Sequence, residues 1–175
     1  MKALKFSVVT DIDKLHQKSQ EVDMTDKNLV YRLLKCLKEA YTKLDGKLQG
    51  LSAIQVGEPY CAILLRYVKG QEPIVVYNPK ILLSLGSKKS NEGCLSESGH
   101  RYLVKRPRLI KVQYYTESGD MVKEWLTYKK ARIFMHEFDH TQGVLLQDKG
   151  RIDDKEKLLF GKYRITPDYK FEKVK

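Results

Sequence analysis

At 175 residues, with 42% apolar and 31% charged residues, the chain suits one soluble domain with its own hydrophobic core. Its longest apolar runs, such as Ile74-Val75-Val76-Tyr77, are far too short to span a bilayer, and Met1 to Phe6 lacks the apolar stretch of a secretory signal, so a cytoplasmic protein is expected. The net charge of +11 makes a ribosome surface a permissible partner, but no RNA-binding signature or long Lys/Arg block indicates specific recognition of nucleic acid, DNA included.

Residues 1 to 24 read as an irregular N-terminal segment, with Phe6, Val8 and Val9 as anchors, Ile12 and Leu15 packing similarly, and an otherwise polar, exposed run from Asp13 to Gln20. Thr25 to Leu44 reads as a core-packing helix, because Leu29, Leu33, Leu37 and Tyr41 recur every fourth residue. Thr25 or Asp26 can cap it, Asp45-Gly46 ends it, and Cys36 is a helix-face residue. Leu48 to Gly57 is rich in small residues, as in a segment that must be approached closely. Gln55 is its one amide between Leu51 and Val56, either projecting into a pocket or exposed on a strand.

Tyr60 to Val68 and Ile74 to Asn78 read as strands. Asn78-Pro79 reads as a break, Ile81 to Leu85 as a further strand, and Gly86 to Asn91 as a loop. After Glu92 to Ser96 come strands at Arg101 to Val104, Leu109 to Tyr115 and Met121 to Leu126, the last two joined by a hairpin turn at Thr116 to Asp120. A helix follows from Thr127 to Gly143, then a last short strand at Val144 to Leu146. Leu158, Leu159, Phe160 and Tyr163 are apolar enough to pack, but Pro167 and the lysine-rich end indicate a loose basic tail from about residue 152. No boundary divides the chain, so residues 1–175 read as one domain.

Chemistry concentrates in the Thr127 helix. His136-Glu137-Phe138-Asp139-His140 is a His-Glu-x-x-His pattern, and the i, i+4 spacing puts both imidazoles on one helix face. Two neutral imidazoles so placed can share a metal ion, with Glu137 beside them as general base. A catalytic metal site needs a third protein ligand and an open position. The three cysteines, Cys36, Cys61 and Cys94, are odd in number and widely spaced, which argues for reduced thiols. Cys94, in Glu92-Gly93-Cys94-Leu95-Ser96, follows a glycine among polar residues. It is either a soft metal ligand or a nucleophile paired with a histidine, and the His-Glu-x-x-His pattern favours the ligand.

These segments resemble the three motifs of the peptide deformylases, metal enzymes that remove the formyl group from N-formylmethionyl nascent chains. Leu48 to Gln55 resembles the family's Gly-x-Gly-φ-Ala-Ala-x-Gln, Glu92 to Ser96 its Glu-Gly-Cys-Leu-Ser, and Met135 to His140 its Gln-His-Glu-x-Asp-His. Order and separations match as well. The departures are Leu48, Ser52, Ser98, Met135 and Thr141, none of which removes a ligand, Glu137 or Gln55.

The resemblance implies an α+β fold, with antiparallel sheets around a central helix carrying the His-Glu-x-x-His pattern. It implies one divalent metal held by Cys94, His136 and His140, ferrous iron natively, with zinc or nickel accommodated. Glu137 would be the general base, and the Gln55 amide and Leu95 backbone N–H the oxyanion donors. Gly50 and Gly93 would bind the peptide main chain, and Arg101 would pair with Glu92 behind the Cys94 loop. Ile133, one turn before His136, would wall the methionine pocket, with the polar Gln49 and Ser90 flanking it. The competing readings are a His-Glu-x-x-His metallopeptidase of another class and a family member kept only for binding.

Overall fold

The computed structural model describes residues 7–44, 46–97, 99–153, 163–165 and 171–173, the last two stretches as backbone only. Its centre is a five-stranded antiparallel sheet in the order β1-β2-β3-β6-β7, formed by Gly50–Ser52, Ala62–Leu65, Ile74–Leu85, Leu109–Tyr115 and Met121–Thr127. Alternation along the strands divides two cores between its faces. Ala62, Leu64, Val75 and Tyr77 pack against the inner stripe of helix α2 (Lys27–Lys43), made of Val30, Leu33, Leu37 and Ala40. Ile63, Leu65, Val76, Ile110 and Val112 pack instead against Ala131, Ile133, Phe134 and Met135 of helix α3 (Tyr128–Thr141). Helix α2 starts where Asp26 accepts hydrogen bonds from the N–H groups of Asn28 and Leu29.

A second antiparallel sheet, in the order β4-β5-β8, consists of Lys88–Glu92, Tyr102–Arg106 and Gly150–Ile152. It is joined to α3 where Glu92 accepts a hydrogen bond from His136 and Arg106 donates one to Asp139. Helix α3 therefore lies between two antiparallel sheets, the expected α+β arrangement. β1 and β4 each form an edge of their sheet, and both border the site described below. A separate hairpin pairs β9 (Tyr163–Ile165) with β10 (Phe171–Lys173).

Several local expectations change. In the Asp13 to Gln20 run, expected to be exposed, Ser19 is buried, while helix α1 (Ile12–Leu15), capped by Asp11, buries Leu15 completely, in line with the packing expected of it. Asn78-Pro79 does not break the chain. β3 runs through it with a register shift after Tyr77 and Asn78 at φ +48°. The Asn78 side chain accepts from the Val22 N–H at 2.7 Å and donates to the Val22 carbonyl at 2.8 Å, so the irregularity is anchored on both sides.

The segment expected as a loop at Gly86 to Asn91 instead pairs with β5 as strand β4. In place of a last strand at Val144 to Leu146 the chain forms a short helix, α4 (Leu146–Lys149). Its free N–H groups at Leu146 and Gln147 donate to the Glu97 carboxylate, which ties this corner to the Cys94 loop. Phe6, Leu158, Leu159, Phe160, Pro167 and the Tyr163 side chain lie outside the described residues.

Candidate metal centre

Helix α3 presents His136 and His140 one turn apart, with ring centroids 5.2 Å from each other. Gly143 allows the chain to turn sharply after them. It has φ +70°, and a Cβ there would collide with the His16 backbone. The Cys94 loop comes in from the end of β4. Cys94 Sγ lies 3.3 Å from His140 Nε2, and the ligand atoms of Cys94, His136 and His140 all fall within 4.8 Å of one another. One thiolate and two imidazoles suit a tetrahedral transition-metal site with one open position.

The surroundings favour a cation here. Nδ1 of His136 donates to Glu92 Oε2 at 3.1 Å, which leaves its Nε2 for a ligand. Burial would lower the His136 pKa, but hydrogen bonds to Cys94 and Glu92 carry it well above the usual imidazole range. A proton on that ring must leave before Nε2 can bind a metal, so metal binding here would release a proton. Burial, with the charges of His136 and Arg106, holds His140 well below its ordinary value, in the neutral form a ligand needs.

Behind the ligands runs a buried ionic chain. Arg106 donates from Nε to Glu92 Oε1 at 2.7 Å and from Nη2 to Glu92 Oε2 at 2.9 Å. Its Nη1 donates to Asp139 Oδ2 at 2.7 Å, and Lys149 holds the other Asp139 oxygen at 2.6 Å. Burial alone would raise the Glu92 pKa; the hydrogen bonds from His136 and Arg106 outweigh it and bring the group down to about 2. The guanidinium on Glu92 thus belongs to Arg106, which corrects the expected Arg101. Arg101 instead donates from Nη2 to the Asn91 carbonyl at 3.1 Å and lines the cavity. The burial pattern of β5 shows why: Tyr102, Val104 and Arg106 turn inward together, and Arg101 has the opposite parity.

In front of the ligands lies a cavity of about 290 Å³, lined by Gly50, Gln55, Gly93, Cys94, Leu95, Ile133, His136 and Glu137 among others. Gln55, on the 3₁₀ turn Ala53–Val56, is 2% exposed, which rules out an exposed strand position. Its Oε1 accepts from the Ser52 N–H at 3.0 Å, so the amide nitrogen must face the site, 3.4 Å from Cys94 Sγ and 3.2 Å from Ser96 Oγ. Glu137 is buried, burial pushes its carboxyl up to about 7, and its Oε2 has no hydrogen-bond partner among the described residues. Gly50 is required by that carboxylate, because a Cβ at residue 50 would overlap the Glu137 side chain.

All the residues expected at the site thus border one cavity, except His140, which closes the ligand set from behind. Gln49 lines this cavity too, and Ser90 lines a neighbouring one. Sequence reasoning missed Arg106, Asp139 and Lys149. Strand parity could have found Arg106, whereas Lys149 lies on a segment read as following a strand.

A Cys-His-His group that could hold a metal, with a buried carboxylate beside it, brought together by a loop and a helix between antiparallel sheets, is the donor set of a metallohydrolase. The polypeptide deformylase family model matches residues 6–157, and the chain belongs to that family. A peptide deformylase of Alkaliphilus metalliredigens is 38% identical over 141 residues, covering 80% of this chain and 92% of the relative. Peptide deformylase 2 of Shewanella oneidensis is 38% identical over 124 residues, covering 66% of this chain and 68% of its own. The crystal structure of peptide deformylase from Thermotoga maritima superposes with a TM-score of 0.73 at 31% identity, covering 86% of this chain and 99% of that one. The family is metal-dependent, and among the described residues Cys94, His136 and His140 are a group that could hold a metal. No helix among the described residues is long and apolar enough to cross a membrane.

Proposed function

We infer that the protein hydrolyses the N-formyl group of N-formylmethionyl peptides with Cys94, His136 and His140 as metal ligands and Glu137 as the proton-transfer group. The observation that carries this assignment is the meeting of those ligands with the buried Glu137 carboxylate and the fixed Gln55 amide at one end of one cavity. A metal bound there supplies Lewis acidity and a nucleophilic water at neutral pH. Ferrous iron is the native metal in this reading, and the donor set also accommodates zinc or nickel.

The protein groups divide the remaining work. Gly50 and Gly93 stand beside the edge strands β1 and β4 and offer backbone groups to an extended peptide between them. Ile133 forms a wall of the cavity for the first side chain. As water adds to the formyl carbon, Glu137 takes its proton, and a carboxyl near pH 7 suits that role. The developing oxyanion receives hydrogen bonds from Gln55 Nε2 and the Leu95 N–H. The C–N bond then breaks, Glu137 delivers the proton to the departing amine, and formate is released. Glu92, held by Arg106, orients His136.

The substrates are nascent chains in the cytoplasm. The net charge of +11 supports transient contact with the ribosome surface and gives no reason to invoke a DNA partner. The test is formate release from a formyl-methionyl tripeptide by protein loaded anaerobically with ferrous iron. Turnover that a chelator abolishes is expected, and a metal-loaded protein that releases no formate contradicts the reading.

A further inference from the structure

Open space continues beyond the metal-side cavity. Arg132, on α3 one turn before His136, lines that cavity and also a second one of about 250 Å³. The second cavity lies between β4 and the start of α3. Lys88, Ser90, Arg106, Arg108, Lys129 and Arg132 surround it, and no carboxylate lines it among the described residues. Arg106 is committed to Glu92 and Asp139 through all three of its nitrogens. The other four cations have no carboxylate partner among the described residues. Arg108 rests only on the Tyr128 ring, at 5.9 Å. Arg132 is half-buried and has no carboxylate partner among the described residues.

Arg132 is the lining residue that the two cavities share, between β4 and α3. Lys88, Ser90 and Glu92 share one face of β4 by strand parity, and the Ser90 hydroxyl donates to Glu92 Oε1 at 3.4 Å. That is the face on which Glu92 meets His136. Ile133 and Arg132 line the same cavity as Gly50 and Gly93, so in the binding mode of the proposed function the first side chain has Ile133 and Arg132 within its cavity.

We propose that Arg132 is a specificity-determining residue and that this basic cavity takes a first side chain of methionine's length ending in a hydrogen-bond-accepting oxygen. The inference rests on the deformylase reading and deepens it. The methionine thioether is a weak acceptor, and the norleucine methylene is none. Methionine sulfoxide keeps the chain length and places a polar oxygen near its end. Hydrogen bonds to a charged group are stronger than neutral ones, and each converts to on the order of tenfold or more in kcat/KM.

The experiment compares kcat/KM for formyl-methionine-sulfoxide and formyl-norleucine on otherwise identical tripeptides. The ratio is independent of folded fraction and metal loading. A wild-type ratio of about tenfold or more in favour of the sulfoxide is expected. Arg132→Leu should bring it to one or below, and Arg132→Lys should keep a preference for the sulfoxide. A wild-type ratio at or below one overturns the proposal, as does a ratio that Arg132→Leu leaves unchanged. Wild type alone decides if Arg132→Leu fails to fold. Absence of formate from every formyl peptide overturns the deformylase reading itself, and this proposal with it.

Discussion

Arg106 and Glu92 meet in a two-point ion pair, Nε to Oε1 at 2.7 Å and Nη2 to Oε2 at 2.9 Å, with each side chain about 5% exposed. Glu92 in turn holds His136, and Arg106 also holds Asp139, the neighbour of His140. Removing the guanidinium leaves two buried carboxylates without their main partner. Breaking such a pair costs about 3–5 kcal/mol. Arg106→Ala is therefore expected to lose several kcal/mol of stability in urea denaturation, with weakened metal binding. Arg101→Ala, which leaves the Arg106 pairs with Glu92 and Asp139 in place, should lose far less; equal losses would contradict the assignment.

Glu92 also sets an acid limit. Its folded pKa of about 2 lies below the ordinary 4.5, so its stabilisation is complete above about pH 4.5 and is lost as pH falls towards 2. Wild type should be more stable than Glu92→Gln near neutrality, and the gap should close over that window. Denaturation curves of both proteins between pH 2 and 7 check this. A gap that stays constant with pH assigns the difference to something other than the ionised carboxylate.

Much of this arrangement was legible in the residues, for identifiable reasons. Helical spacing located α2 and α3, because Leu33 and Leu37 or Ala131 and Phe134 must share a face to be buried. The His136 and His140 pair followed from the same geometry. The candidate third ligand, Cys94, lies 46 residues from His140, and no local rule links them; its place after a glycine among polar residues made it a candidate, and the resemblance of three ordered motifs strengthened it. Asn78-Pro79 misled because its rescue comes from Val22, far away in sequence. Lys88 to Asn91 was misread as a loop because its polar run hides a strand with one edge open. Arg101 was taken from the resemblance, although alternation with Tyr102 and Val104 favours Arg106.

Gly50 offers a steric test. A methyl group at residue 50 meets the Glu137 carboxylate directly, and burial gives that side chain little room to withdraw. Gly50→Ala should retain its metal but lose formyl-peptide turnover by at least an order of magnitude, since small misplacements of a reacting group can cost about 100-fold. Steady-state kinetics at matched metal content measure the effect. Unaltered turnover would show that the carboxylate needs no such fixed position.

Glu137→Gln separates proton transfer from metal binding. The amide nearly preserves shape, and Glu137 is not among the residues grouped as ligands. Metal content should be preserved, while kcat falls by roughly 10²–10⁴-fold, the usual contribution of a positioned acid–base group. Near wild-type turnover in the metal-loaded variant would remove Glu137 from the reaction.

The central claim is that Cys94 completes a metal site begun by His136 and His140, and metal analysis of anaerobically purified wild type and Cys94→Ser tests it most directly. One transition-metal ion per chain is expected in wild type, with a marked loss of metal content or affinity when the soft thiolate becomes a hydroxyl. Wild-type protein without metal, or a Cys94→Ser variant that binds it unchanged, would contradict the assignment.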